Sequence, residues 1–190
     1  MNVVELQDFN HKCAGNTSGT GTEILYARKS DFDTIQKPSE NAENPEDLVT
    51  IAVAHTFKAG KGFRKLLITD ETGQVTSNAV GEKDGRSFEH TLNGFVPGND
   101  ARNTGLLSMM ANCPYIFLVP ELRDGAVVYR QLGSEFRGAY NIAENNYDTG
   151  VASADRRGTQ FSFAAVGQPT HAPFYTAEAT LAPEESGEGE

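Results

Sequence analysis

Along the chain, apolar positions fall into short runs with a period of two, broken by glycine and proline every few residues. Ser87 to Val96 alternates larger with more polar residues until Pro97-Gly98 stops it, the pattern of a half-buried strand. Asn99 or Asp100 then offers a side-chain oxygen to the orphan amides of a helix start, and Leu106, Leu107, Met109 and Met110 supply an apolar face. Asn112-Cys113-Pro114 ends that helix, because proline lacks the amide hydrogen and disfavours helical geometry in the residue before it. Tyr115 to Val119 is an unbroken apolar run and reads as a strand buried on both faces. The rest of the chain is organised around this unit, and its helix is the one well-defined helix the sequence predicts.

Upstream, Val3 to Phe9 is a candidate strand, and the glycine and hydroxyl run from Gly15 to Gly21 completes a flexible arm over residues 1–22. A phosphate-cradling loop is the sharper reading of that run. It fails because no Gly-Lys-Ser/Thr follows and because Glu23 to Ala27 reads as a strand rather than a helix. Ser30 to Ile35 predicts one helical turn, and Gln36 to Asp47, with Pro38 and Pro45, an exposed loop. Val49 to Phe57 alternates cleanly and is the clearest strand of the first half. Lys58 to Lys65 interrupts it, Leu66 to Thr69 resumes, and Asp70 to Gly73 is a turn. A weaker strand, Gln74 to Val80, runs to a second turn at Gly81 to Gly85.

Downstream, Asp124-Gly125 reads as a tight hairpin turn between Phe117 to Val119 and Val127 to Gln131. Gly133 to Tyr140 predicts a short strand and Ala143 to Gly150 an acidic, turn-rich loop. Thr159 to Val166 follows with Phe161 and Phe163 on one face, and Phe174 to Leu181 is a last strand. Residues 182–190, rich in glutamate and glycine, cannot bury enough apolar surface to order themselves and are expected to be a disordered acidic tail. The sum is about ten short strands and one helix without βαβ alternation. The predicted fold is mainly β: a single domain over residues 23–181, an antiparallel β-sandwich or barrel with one flanking α-helix and long loops.

Composition narrows the function. In 190 residues, 16 Lys plus Arg oppose 26 Asp plus Glu, for a formal charge of −10. Such a surface repels nucleic acid and anionic membranes unless its cations cluster. No apolar run is long enough to span a bilayer, and Met1 to Glu5 lacks the basic-then-apolar pattern of a leader, so the chain is expected to start in the cytoplasm. Cys13 and Cys113 are too few for a disulfide framework and are read as reduced.

Catalytic and metal motifs are lacking in the sequence. His11 and Cys13 lie close together, but His55, His90 and His171 are scattered, and the paired His-x-His of a cupin-type barrel enzyme is missing. Asp70, Glu82 and Asp84 lack the alternating oxygens of a calcium loop and read as solvated turn carboxylates. No nucleophile elbow or His-Glu-x-x-His occurs, so no enzyme activity and no cofactor is expected. Lys58, Lys61, Arg64 and Lys65, with Phe57 and Phe63 interleaved, are the one place for nucleic-acid contacts; in an acidic protein a loop pairing with carboxylates, on this or a neighbouring subunit, is the simpler reading.

The order of turn motifs adds a resemblance. Phe57-Lys58-Ala59-Gly60-Lys61-Gly62-Phe63, Thr69-Asp70-Glu71-Thr72-Gly73, Val80 to Phe88, Val96-Pro97-Gly98, Gly125 to Gly133, Asp148-Thr149-Gly150 and Ala154 to Gly158 resemble small structural proteins of Bacteroidetes phages and prophages, over about Ala14 to Tyr175. The resemblance implies a virion component similar to tail tube proteins, in which hexameric rings stack into a hollow, DNA-conducting tube. It implies a phage-tail location after assembly in the host cytoplasm, with self-association, other tail proteins and passing DNA as partners. Contacts between subunits are then expected from the basic loop (Lys58, Lys61, Arg64, Lys65) and from the hairpin bearing Glu71, Thr72, Gln74, Val75, Val80, Glu82, Asp84 and Arg86. A head-tail connector, tail terminator or capsid decoration protein is the neighbouring alternative. A monomeric β-sandwich binding module is the alternative from another class, with Tyr140, Tyr147, Phe174 and Tyr175 as its aromatic platform.

Overall fold

The computed structural model describes residues 4–5, 7–8, 18–98, 100–123, 126–152 and 154–183, with the side chains of 123, 143 and 144 excepted. Its strands are β1 (Glu23–Arg28), β2 (Phe32–Thr34), β3 (Thr50–Ile51), β4 (Thr56–Phe57), β5 (Arg64–Leu67), β6 (Gln74–Val80), β7 (Ser87–Pro97), β8 (Tyr115–Arg123), β9 (Ala126–Leu132), β10 (Tyr140–Asp148), β11 (Gly158–Gln168) and β12 (Phe174–Tyr175). One α-helix, α1 (Ala101–Met110), joins β7 to β8. Short 3₁₀ turns lie at Lys29–Asp31 and Pro45–Val49.

The strands build a six-stranded sheet in the order β3-β12-β9-β8-β1-β5, a four-stranded sheet in the order β10-β11-β7-β6, and a β2-β4 ribbon. All pairings are antiparallel except β12 with β3. This is the expected mainly β sandwich with a flanking helix. The two large sheets face each other across a core of Ile24, Leu92, Phe117, Val119, Leu132, Phe161 and Phe163, with Leu107 and Met110 of α1 closing one side. A second core lies on the opposite face of the six-stranded sheet, where Leu25, Ile116 and Leu118 meet Phe32, Ile51, Phe63 and Tyr175. Consecutive residues of β8 from Tyr115 to Val119 therefore enter different cores, which is why that part of the strand carries no charged or amide side chain.

α1 starts where Asp100 accepts a hydrogen bond from the Asn103 amide at 2.9 Å. Asn99 lies outside the described residues. Only Leu107 and Met110 are buried, whereas Leu106 and Met109 face solvent, so the predicted apolar face is half used within this chain. Cys113 is a free, half-buried thiol just beyond the helix.

Several expected boundaries move. Val49 to Phe57 is not one strand: Thr50–Ile51 pairs with β12, Thr56–Phe57 pairs with β2, and the chain between them turns Val53 out to 61% exposure while burying His55. Ala143 to Gly150 is no loop, because residues up to Asp148 form the edge strand β10. Gly133 to Ala139 is irregular, with one backbone bridge from Ala139 to Tyr115 and side-chain hydrogen bonds from Gln131 to the Gly133 carbonyl and from Gln168 to the Arg137 carbonyl. Ser30 to Ile35 yields a 3₁₀ turn that gives way to β2 at Phe32. The last strand stops at Tyr175, and Leu181 forms only a bridge with Phe63.

Both ends of the body are better anchored than expected. Gly21 donates to Pro120 and Ile68 to Thr22, so residues 20–22 belong to the domain rather than to an arm. In the expected strand Val3 to Phe9, the described residues Val4, Glu5, Gln7 and Asp8 have no strand geometry, and the others lie outside the described residues. Ala182 donates to Phe63, and Arg64 Nη1 to the Pro183 carbonyl, so those two residues are not tail. The remaining tail, residues 184–190, and the turn Asp124-Gly125 lie outside the described residues. The pairing of Arg123 with Ala126 fixes the hairpin around that turn.

Candidate functional site

The predicted contact residues sort into two places. In the basic loop, Lys65 forms an ion pair with Glu23 at 3.0 Å, Lys58 donates to the Ser30 carbonyl at 2.7 Å, and Arg64 reaches Pro183. Three of its four cations thus have partners within the chain, and Lys61 is exposed beside them. The loop works first as an internal clasp between β1, the Lys29–Asp31 turn and the C-terminal segment.

The hairpin residues gather along one sheet edge. β6 pairs with β7 from Gln74 opposite Asn93 to Val80 opposite Ser87, and among the described residues its other flank carries no strand. Val75 points into the sandwich core, so only its backbone is offered on that edge. Glu71 and Asp84 sit in turns with positive φ, at 59° and 66°, the latter in the tight connection to β7 that Gly81 opens at φ 103°. Thr72 caps its turn through a hydroxyl bond to the Thr69 carbonyl. Gln74, Glu82 and Arg86 are exposed and Val80 is half-buried.

The four-stranded sheet to which this edge belongs has a distinct chemistry. Its strands read QVTSNAV, SFEHTLNGFVP, YNIAENNYD and GTQFSFAAVGQ, and contain no lysine or arginine. Because Leu92 and Val96 enter the core, Glu89, Thr91 and Asn93 face away from it, alongside Thr76, Asn78, Gln160 and Ser162. Ser162 donates to Asn93 Oδ1 at 2.7 Å across this polar face. The far edge, β10, likewise pairs with no further strand among the described residues and exposes Tyr140, Ile142 and Tyr147. Of the other predicted platform residues, Phe174 lies under the Arg130 guanidinium at 3.5 Å and Tyr175 is buried, so no four-ring platform forms.

A second feature was not visible in the sequence. A cleft of about 640 Å³ opens between residues 36–41 and residues 133–136, with His90, Gln131 and Gln168 among its lining residues. The two buried histidines nearby differ. His55 accepts from the Gln36 amide at Nδ1 (2.9 Å), so Nε2 carries the proton and donates to Gln131 Oε1 (2.9 Å). Burial, partly opposed by that hydrogen bond, lowers its pKa to about 4. His90, 1% exposed, donates from Nε2 to the Thr170 carbonyl at 2.8 Å, and its Nδ1 has no partner. Burial lowers its pKa as well, so the ring is neutral at pH 7 and Nδ1 is a bare acceptor. The one sequence signal was parity: His90 shares the inward side of β7 with Leu92 and Val96, where a polar residue is out of place.

Among the described residues, no three His, Cys, Asp or Glu side chains are grouped to hold a metal ion. No helix among them is long and apolar enough to cross a membrane. No protein-family model, no curated protein and no solved structure matches the chain.

Proposed function

We propose that this chain is a structural subunit of a phage virion, a tail tube protein whose copies pair edge to edge into rings that stack into a DNA-conducting tube. The observation that carries the reading is the four-stranded sheet: among the described residues it ends in two strands with one open edge each, β6 and β10, and its strands hold no lysine or arginine. Unprotected edges of seven and nine residues are a liability in a monomer, and pairing β6 of one copy with β10 of the next removes both at once. Such a head-to-tail contact is heterologous and closes into a ring when the rotation permits.

Geometry and charge support the same reading. Six four-stranded sheets joined this way make a barrel of about 24 strands; at ~4.8 Å spacing and ~40° tilt it is roughly 48 Å across at the backbone, wide enough for a duplex. A polar face whose strands carry Glu89 and no lysine or arginine, with Arg156 stacked over Phe95 at one end, favours phosphate sliding past over tight binding. The half-exposed Leu106 and Met109 of α1 and the acidic chain as a whole fit a subunit with further neighbours. Electron microscopy of the purified protein, with light scattering over a concentration series, tests it. Rings of about six copies, or hollow tubes that lengthen with concentration, are expected. A compact particle near 20.5 kDa at every concentration, with other tail proteins present as nuclei, refutes it.

A further inference from the structure

We propose that the groove between α1 and the basic loop is the docking site of residues 184–190 of the same chain, whose glutamates lie against Arg28, Lys61 and Arg64. The inference is independent of the tube reading and rests on three observations.

The first is the chemistry of the groove. Its charged lining residues are three cations, Arg28, Lys61 and Arg64, against one carboxylate, Asp31. Leu106 and Met109 of α1 line it too, and both are exposed. Three guanidinium groups converge on its Tyr26: burial raises the pKa of that phenol, Tyr115 adds to the rise, and Arg64, Arg28 and Arg102 oppose it. In a chain of formal charge −10, such a local excess of positive charge attracts an anionic segment.

The second is where the chain stands at Pro183. Phe63 donates to the Thr180 carbonyl and accepts from the Ala182 amide, both at 2.9 Å, and Arg64 Nη1 donates to the Pro183 carbonyl at 3.1 Å. Gly62 makes this approach possible, since a Cβ there would stand 2.4 Å from the Ala182 nitrogen. Ala182 itself lines the groove. Residues 184–190 therefore set out from the rim of the groove, next to a backbone carbonyl that one of its cations already holds.

The third is charge complementarity over a short tether. Residues 184–190 read Glu-Glu-Ser-Gly-Glu-Gly-Glu, four carboxylates and no cation. Seven residues reach roughly 23 Å when extended, ample for a groove of about 160 Å³, and Gly187 and Gly189 let the backbone turn back over it. So short a tether holds the glutamates at a roughly millimolar effective concentration, which a second copy has to exceed. Single exposed ion pairs are weak, so docking depends on several acting together and on low salt.

The test compares the full native chain with a variant in which Glu184, Glu185, Glu188 and Glu190 are all changed to Gln. Peroxide oxidation of Met109, 53% exposed without the segment, is followed by mass spectrometry, with buried Met110 as the internal reference. Docking should slow Met109 oxidation at least about threefold in the native chain relative to the variant in ~20 mM salt, and the difference should vanish in ~500 mM salt. In a second measurement, ¹⁴N and ¹⁵N native chains are mixed in equal amounts and treated with a carbodiimide, which joins a lysine amine to a carboxylate in contact with it. Lys61 should couple to residues 184–190 within chains of one isotope. Three results overturn the proposal: Met109 oxidises equally fast in both chains at low salt; couplings spread evenly over Lys58, Lys61 and Lys65, as a loose tether gives; or couplings join the two isotopes, which would assign the groove to the segment of a second copy.

Discussion

Replacing Gly94 with alanine in the middle of β7 should destabilise the protein, against the ordinary expectation. Glycine inside a strand is normally a weakness, and an alanine there usually gains stability by reducing the freedom of the unfolded chain. Here a Cβ would stand 2.5 Å from Cζ and 3.0 Å from Cε1 of Phe161, whose ring is fully buried on the neighbouring strand. Neither β7 nor the packed ring has room to give, and overpacking of this kind costs about 1–3 kcal/mol. At this chain length each kcal/mol lowers Tm by roughly 2–4 °C. The decisive measurement is a double-mutant cycle by urea unfolding. Phe161→Leu alone should destabilise by opening space, while Gly94→Ala combined with Phe161→Leu should cost less than the sum by about 0.5–3 kcal/mol. Strict additivity, or a stabilising Gly94→Ala, would show that the ring and the glycine are not in the contact described.

Acidification should expose the buried His55. Its folded pKa of about 4 lies below the ordinary 6.5, so the unfolded chain binds the extra proton between those values; its contribution is complete above pH 6.5 and is lost as pH falls toward 4. The loss amounts to about 3 kcal/mol at ~1.36 kcal/mol per pKa unit, and urea midpoints at pH 7 and 4.5 should show a steeper fall for the native chain than for His55→Gln. Asn78→Glu with Ala79→Glu, both exposed on β6, should leave Tm within about 2 °C while abolishing rings in micrographs, since the facing β10 edge carries Asp148; unaltered rings would remove β6 from the contact. Gly62→Ala would place a Cβ 2.6 Å from the Leu181 carbonyl carbon, so residues 180–183 should lift from Phe63 and be trimmed by limited proteolysis at least several-fold faster than in the native chain.

The sequence is most legible where one strand has one environment. β6 coincides with the predicted Gln74 to Val80, because turns bound it on both sides. The double burial of Tyr115 to Val119 also shows, since no polar residue is tolerated between two cores. Val49 to Phe57 misleads for the opposite reason. Alternation records that residues take turns facing apolar and polar surroundings, not that the chain leaves one sheet at Ile51 and joins another at Thr56. β10 escapes notice because an edge strand has a single neighbour: Asn146 and Asp148 are exposed to solvent, and Asn141 and Asn145 donate to the Ser162 and Leu107 carbonyls, so its polar residues read as a turn-rich segment. The cleft is invisible because residues near 36–41, 90, 131 and 168 meet only after the sandwich closes.

The order in which strands enter the four-stranded sheet sets a clock on synthesis. β7 is flanked on one side by its sequence neighbour β6 and on the other by β11, which follows the helix, the β8–β9 hairpin and β10 along the chain. A nascent chain released from the ribosome as far as β9 can form the hairpins of β6 with β7 and of β8 with β9, but has no partner for the second flank of β7. Closure waits on contacts of high sequence separation, the slow step in β-rich folding. β10, one of the two edge strands of that sheet, joins it only through β11. A chain stalled or cleaved before residue 158 therefore lacks the means to present both ends of the sheet, and half-made molecules are withheld from any polymer that requires the pair.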